Sequence, residues 1–119
     1  MNMYRKLEVW KDSVVLIKDV YKIAELLPKS EEYNLKQQLK RAATSVALNI
    51  AEGKNRRTAR DFSSFLVNAI GSLSEVDAIF EICEELNILE KDRFITEKID
   101  ILGKKINALR NSLSRSVNV

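Results

Sequence analysis

Apolar residues recur at spacings of three and four along four segments of the chain, which is the period of a helix with one buried face. Pro28 follows the first segment and Gly53 is placed to end the second, while Thr58 and Asp61 predict a capping box at the start of the third. Because short connections make consecutive helices antiparallel, the sequence predicts a single all-α domain over residues 1–119, an antiparallel up-down-up-down four-helix bundle. Its predicted core stripes are Leu7, Trp10, Val14, Ile17, Tyr21 and Ala24; Leu35, Leu39, Ala42, Val46, Asn49 and Gly53; Phe62, Leu66, Ala69, Leu73, Val76, Phe80 and Cys83; and Ile95, Ile99, Leu102, Ile106, Leu109 and Leu113.

The second and third helices each contain a long stretch without charge, at residues 42–51 and 62–74. At about 100° per residue, residues 42–51 pass almost three times around their helix, so the side facing away from Val46 is also apolar. A hairpin of these two helices brings both uncharged stretches together. The combined surface exceeds what one core needs and predicts a contact with a second subunit; the alternative is two surfaces of small residues. The back face of the second helix is predicted to carry Thr44, Ala47, Leu48 and Ala51.

Polar residues flank the apolar stripe of the second helix. An unpaired buried amide costs about 1–3 kcal/mol, so Asn49 is expected to have a hydrogen-bond partner and to fix the helix register. Together with Arg41, Ser45 and Glu52 it forms a polar stripe, which is either an intramolecular network or a contact with a neighbouring subunit. A structural role is favoured over a catalytic one, because a lone carboxylate lacks an acid–base partner.

Residue types that support catalysis are scarce. The chain has no His, and its single Cys83 falls at an apolar position, which predicts a core cysteine rather than a nucleophile or metal ligand. No glycine-rich phosphate loop is present. The sequence therefore predicts a protein that is not an enzyme and uses no cofactor and no metal. The enzymatic alternative would need a metal site made only of the carboxylates of Glu81, Glu84 and Glu85.

The longest uncharged run, residues 62–74, has 13 residues, short of the roughly 20 that span a bilayer. The first residues are charged and contain no apolar signal-peptide core. We therefore expect a cytoplasmic location and no membrane contact.

Charge is more segregated than the net charge of +3 suggests. Residues 36–60 contain seven Lys or Arg and one acid, whereas residues 61–90 contain seven Asp or Glu and no cation. A cluster of cations beside a helix N-terminus suits phosphate groups, so this turn is a candidate nucleic-acid site. The alternatives are a solvated turn and ion pairs with acids of the third helix of a neighbouring chain. No aromatic residue alternates with the cations, so base stacking is not predicted. The clustered cations are Lys54, Arg56, Arg57 and Arg60.

Two short motifs, together with the segments LEVWKDSVVLIKDVYKIAELLP and FLVNAIGSLSEVDAIFEICEELNIL, carry a resemblance to a known family. The first motif is Ser-x-x-x-Asn-x-x-Glu-Gly and the second is Gly-Ser-x-x-Glu, formed by Ser45, Asn49, Glu52 and Gly53, and by Gly71, Ser72 and Glu75. The chain resembles the four-helix-bundle proteins encoded within intervening sequences of bacterial 23S ribosomal RNA genes. It is also similar to the accessory proteins of diversity-generating retroelements. The resemblance covers nearly the whole chain.

The resemblance implies a homopentameric ring of four-helix bundles without enzymatic activity. Retroelement accessory proteins of this kind are basic pentamers that bind a reverse transcriptase and nucleic acid. Two functions follow as hypotheses: a non-catalytic homo-oligomer that binds RNA or DNA phosphates with little sequence preference, or a protein-binding scaffold, for example an accessory subunit of a reverse transcriptase, that does not contact nucleic acid itself.

Overall fold

Strong helix formers fill most of the chain, and its one Pro and three Gly leave few places for helices to break. The computed structural model describes residues 3–117, so residues 1, 2, 118 and 119 of the predicted domain lie outside the described part. Within residues 3–117 there is no strand, which confirms the all-α prediction. Short 3-10 turns at Met3–Lys6 and Lys29–Glu31 accompany the helices. The four α-helices are α1 (Glu8–Ala24), α2 (Leu35–Lys54), α3 (Ala59–Glu85) and α4 (Arg93–Val117).

Side-chain caps begin the last two helices. Thr58 precedes α3, and its Oγ1 accepts a hydrogen bond from the backbone amide of Asp61 at 3.0 Å, which confirms one of the two bonds of the predicted capping box. The reciprocal bond from the Thr58 amide to the Asp61 carboxylate is absent from the described chain. Asp92 precedes α4, and its Oδ1 accepts hydrogen bonds from the backbone amides of the second and third residues after it. After α3 the chain turns at Asn87, which adopts a left-handed φ of 57°. These caps account for the sharp reversals that make neighbouring helices antiparallel.

The predicted core stripes of α2, α3 and α4 are largely buried, whereas the predicted stripe of α1 is wrong in part: Ala24 is buried and Leu7, Trp10 and Ile17 pack against the core, but the other two residues do not. Tyr21 of that stripe is exposed and Val14 is only half-buried. The buried side of α1 instead includes Ser13, whose hydroxyl donates to the carbonyl oxygen of Trp10 at 2.7 Å. A serine satisfied in this way can be buried without cost to its polar group, although its type suggests a surface position. The buried residues of α1 are Val9, Ser13, Leu16, Val20 and Ala24.

Basic and acidic side chains join α1 to α2 where α2 begins. Lys36, which is buried, donates to Glu25 at 3.2 Å and to Glu32 at 3.0 Å, and Lys40 donates to Glu25 at 3.2 Å. Lys40 and Lys36 lower the pKa of Glu25, and Glu32 and Glu25 raise the pKa of Lys36. The buried ammonium is thus paired with two carboxylates, which is how α2 can begin with a lysine against the core.

Each helix packs against its two neighbours, with the most extensive contact between α2 and α3 and the least between α1 and α4. This order gives the predicted up-down-up-down bundle, in which the α2–α3 side lies opposite the α1–α4 side. Contacts between helices mark the middle of the bundle at Ser45 with Ser72, at Leu73 with Gly103, and in the groove that Leu16 and Leu102 both line.

Candidate nucleic-acid and subunit interfaces

Three polar side chains connect α2 to α3. The hydroxyl oxygens of Ser45 and Ser72 lie 2.8 Å apart and share a hydrogen bond across the two helices. The Asn49 amide Nδ2 donates to the carbonyl oxygen and to the hydroxyl oxygen of Ser45, at 2.9 and 3.0 Å. The predicted partner of Asn49 is thereby identified. Its predicted burial within the core is wrong, because Asn49 is half-buried and contacts its own helix, while Ser45 and Ser72 form the link between helices.

The other polar motif residues do not join this cluster. Arg41, Glu52 and Glu75 are all exposed. Glu52 accepts a hydrogen bond from Arg56 at 2.8 Å, and neither Arg41 nor Glu75 has a side-chain partner within residues 3–117. The polar stripe predicted on α2 is therefore not a single intramolecular network, and Arg41 and Glu75 remain available to a neighbouring molecule.

Replacing Asn49 with Asp is expected to lower the free energy of unfolding by about 1–2 kcal/mol at neutral pH. The substitution removes the donor and directs a carboxylate at the carbonyl oxygen of Ser45. Urea titration measures the effect, with Asn68→Asp as a control, since Asn68 is exposed and has no side-chain hydrogen bond in the described chain. Equal stability of the two variants would contradict a role for Asn49 in the cluster.

The sequence predicts that Gly53 ends α2, and this prediction is wrong. The helix continues to Lys54 with Asn55 as its cap, and none of the glycines has a positive φ. A Cβ added to Gly53 would lie 2.7 Å from Phe65 Cβ and 2.9 Å from Phe62 Cδ1. This glycine is therefore needed for the close approach of α2 and α3 beside the turn.

The α2–α3 surface, defined as the outward side of these two helices around Leu48 and Gly71, exposes uncharged residues. Leu48 is 67% exposed, and Val67 of α3 is also exposed. Gly71 lies in the middle of α3, where a glycine lowers helix stability, and an added Cβ would meet no atom within 4 Å. No contact within the described residues 3–117 accounts for a glycine at this position.

Ala47 does not belong to this surface, contrary to the sequence prediction. It is only 6% exposed and lies on the side of α2 that faces α1, seven residues beyond Lys40. Thr44 and Ala51 are half-buried, so Leu48 is the exposed member of the four predicted back-face residues. The prediction failed because a 100° step per residue leaves Ala47 close to the edge of the buried arc, and α1 covers that edge.

Two of the four cations predicted at the α2–α3 turn are already engaged. Lys54 is half-buried, with its Nζ 5.7 Å from the ring centroid of Phe62. Arg56 forms the ion pair with Glu52 and lies 4.7 Å above the ring of Phe65. These contacts hold the turn against α3 and cover both aromatic rings.

Arg57 and Arg60 are exposed and have no side-chain partner within residues 3–117. Arg60 also lines a shallow cleft between the start of α3 and the end of α4, together with Ser64 and Ser114. Of the four predicted cations, these two are the ones free to contact an anion.

Further cations, which sequence reasoning missed, reach the same end of the bundle. The contacts of Ser45 with Ser72 and of Leu73 with Gly103 divide the bundle into two halves. The half that contains the α2–α3 turn, residues 3–16, 45–72 and 103–117, has eleven Lys or Arg and four Asp or Glu, and we call it the basic half. The other half, residues 17–44 and 73–102, has nine Lys or Arg and thirteen acids, and we call it the acidic half. Folding the four predicted helices antiparallel would have shown this segregation, because it depends only on helix order. The added cations of the basic half are Arg5, Lys6, Lys11, Lys104, Lys105, Arg110 and Arg115.

Comparison with known proteins gives a family and a similar fold. A family model described as 23S rRNA-intervening sequence protein matches residues 5–108. The chain belongs to this family. The chain is also similar to a crystal structure from Bacteroides thetaiotaomicron VPI-5482, of a protein with unknown function from the S23 ribosomal protein family. The TM-score is 0.69 at 23% identity, covering 88% of this chain and 96% of that chain, a likeness that shows the fold. Comparison with curated proteins gives no match.

The acidic residues of the chain divide into those that form ion pairs and those that do not. All ion pairs in the described chain use acids of α1, α2 or their connection, and none uses an acid of α3. Glu81, Glu84 and Glu85 do not converge into a group that could hold a metal ion. Among residues 3–117, no helix combines the length and apolar character needed to cross a bilayer.

Proposed function

We propose that this protein is a non-catalytic homo-oligomer, a pentameric ring, that binds RNA or DNA phosphates at the basic end of its bundle. The observation that carries this proposal is the excess of eleven cations over four acids in the basic half, with Arg57 and Arg60 exposed and unpaired beside the N-terminus of α3. Phosphates are favoured there by positive charge and by the helix amides together.

The aromatic residues near the turn support binding with little sequence preference. Bases are commonly held by stacking on exposed aromatic rings. Here Phe62 is buried, and Arg56 lies over the half-buried Phe65. With no open ring at the turn, the interaction rests on the phosphates, which are the same in every sequence.

Two separate surfaces support the oligomer. An odd-numbered ring requires a heterologous contact, in which different faces of the same chain meet. The α2–α3 surface with Leu48 and Gly71 is one such face. On the opposite side, Val15 and Ile101 are exposed in the groove between α1 and α4. Each face leaves apolar side chains in water that a neighbouring subunit would cover.

The nucleic-acid function is tested by replacing both Arg57 and Arg60 with Ala. Binding of a labelled single-stranded RNA and of a DNA duplex is measured by fluorescence anisotropy over a series of salt concentrations. Each lost phosphate contact should lower the slope of log affinity against log salt by about 0.7 for single strands and about 0.9 for duplex. The variant should therefore lose roughly 1.4–1.8 in slope for each subunit in contact with the strand.

The matched control replaces Lys91 and Arg93 with Ala, which removes the same charge from the acidic half. It should retain most of the affinity and slope. Equal losses in both variants would mean that only diffuse net charge acts, and absence of wild-type binding at low salt would refute the proposal.

Assembly is tested by sedimentation of the wild type and of Leu48→Glu. The wild type should sediment as a closed oligomer, and the variant should dissociate because the new carboxylate would be buried in the contact. A wild type that is monomeric at micromolar concentration would contradict the ring.

A further inference from the structure

A groove at the acidic half is bounded by α3, the start of α4 and the connection between them, and has a volume of about 170 Å³. Phe80, Leu89 and Ile95 contribute apolar atoms to its lining. Asp77, Glu81 and Glu84 follow one another along the α3 side. We call this feature the acidic groove.

Three carboxylates of the acidic groove are unpaired, and Lys91, which also lines the groove, forms no ion pair with them. Asp77, Glu81 and Glu84 accept no side-chain hydrogen bond and form no ion pair within residues 3–117. They are spaced four and three residues apart, so like charges face each other on the helix. Glu84 also lies in the last turn of α3, which holds no basic residue, and negative charge is unfavourable at a helix C-terminus. An external cation would relieve both effects.

Exposed apolar side chains lie next to these carboxylates. Phe94 is 79% exposed and lines a cleft that shares Ile23 and Ile95 with the acidic groove. Leu86, which follows α3, is 57% exposed. The occupant that complements such a surface carries positive charge and apolar side chains together.

We propose that the acidic groove docks a basic amphipathic segment of a partner protein. One long Lys or Arg side chain enters the groove, with its aliphatic stem on Phe80 and Leu89 and its charged end at Glu81 and Glu84. An apolar side chain of the same segment packs on Phe94. The groove volume fits one such side chain and is smaller than the roughly 300 Å³ at which small-molecule pockets begin.

The α2–α3 turn of a second copy fits the groove less well than a basic amphipathic segment. The unpaired cations of that turn, Arg57 and Arg60, belong to a region, residues 54–60, with no large apolar side chain exposed. That region supplies the charge without the apolar half that Phe94 and Leu86 require.

The test uses a labelled peptide of about fourteen leucine and lysine residues, patterned as an amphipathic helix. Affinity is measured by fluorescence anisotropy, with a peptide carrying Glu at each Lys position as the reference. The groove variant combines Asp77→Asn, Glu81→Gln and Glu84→Gln and should bind about tenfold more weakly. The control combines Glu85→Gln, Glu97→Gln and Asp100→Asn, which removes three unpaired charges from α3 and α4 outside the groove, and should lose less than about threefold.

Phe94→Ser should also weaken the peptide, whereas Leu26→Ser, which changes an apolar residue that is 71% exposed and lines neither the acidic groove nor the cleft of Phe94, should not. Circular dichroism and urea titration should find the groove variant at least as stable as the wild type, because it removes like-charge repulsion. Arg57→Ala with Arg60→Ala should leave peptide binding unchanged, which separates this proposal from the nucleic-acid one. The proposal is overturned if both peptides bind alike, if groove and control variants lose equally, if spermidine displaces the peptide at equal concentration, or if the groove variant alone changes the sedimentation of the chain, which would assign the groove to a second copy.

Discussion

Gly53→Ala is expected to destabilise the bundle by about 2 kcal/mol, although the same change inside a helix ordinarily adds up to about 1 kcal/mol. The added Cβ would lie 2.7 Å from Phe65 Cβ, 2.9 Å from Phe62 Cδ1 and 3.3 Å from the carbonyl oxygen of Phe62. The first and last of these atoms are close to the backbone of α3, so relief requires the two helices to move apart rather than one side chain to rotate. Urea titration at a fixed protein concentration measures the change.

Gly103→Ala is the matched control. Gly103 lies inside α4, and its added Cβ would approach Leu73 Cδ2 at 3.6 Å, which is ordinary van der Waals contact. This variant should be as stable as the wild type or more stable by about 0.5–1 kcal/mol. If both alanine substitutions changed the free energy of unfolding in the same direction, the close approach inferred at Gly53 would be contradicted.

Ala47→Glu and Leu48→Glu place the same charge at adjacent positions and should give opposite results. Ala47 is packed on the α1 side of α2, so a carboxylate there should cost about 3 kcal/mol through burial of an unpaired charge. Leu48 points away from the core and should tolerate Glu within about 0.5 kcal/mol of monomer stability. Thermal unfolding monitored by circular dichroism separates the two, and sedimentation reports any change of assembly.

Equal loss of helicity in both variants would contradict the orientation of α2. Equal tolerance would mean that Ala47 is accessible, as its sequence position first suggested. The comparison needs no other control, because the two substitutions share composition, helix and charge.

Much of the fold follows from periodicity alone. The stripes of α3 and α4 are regular because their apolar residues keep spacings of three and four, as at Leu66 and Leu73. In α4, Ile99 and Ile106 also stand beside charged residues, so only one face can be buried. In α1, apolar residues occur on several sides, and the polar Ser13 interrupts the buried one. The spacing of the apolar residues then predicts a buried face that is rotated toward α2, where Tyr21 contacts Lys40. The side that is buried carries Leu16 and Val20, and Ser13 can lie there because its hydroxyl bonds to its own helix. Such a bond leaves no mark in the spacing.

The candidate sites were predicted in part. The cluster of cations around the turn is visible in the sequence, but the engagement of Lys54 and Arg56 by two phenylalanines depends on how closely α3 approaches. Gly53 permits that approach, and its role differs from that of the helix-ending glycine its position suggests. The acidic groove was foreseen only as a run of carboxylates, because its apolar lining comes from residues on either side of the α3–α4 connection.

The length of the bundle changes how its two charged halves act on each other. The molecule extends over 51 Å, while electrostatic interactions in water decay over about 8 Å at physiological ionic strength. A polyanion at the basic end is therefore screened from the carboxylates of α3, and the charge of one end has little effect on binding at the other. At about 0.01 M salt the screening distance grows to about 30 Å, and the molecule becomes a single electric dipole that aligns its basic end toward an approaching polyanion before contact. Association rates measured at low salt then depend on this long-range orientation, while rates measured at physiological salt depend on the charges of the α2–α3 turn alone.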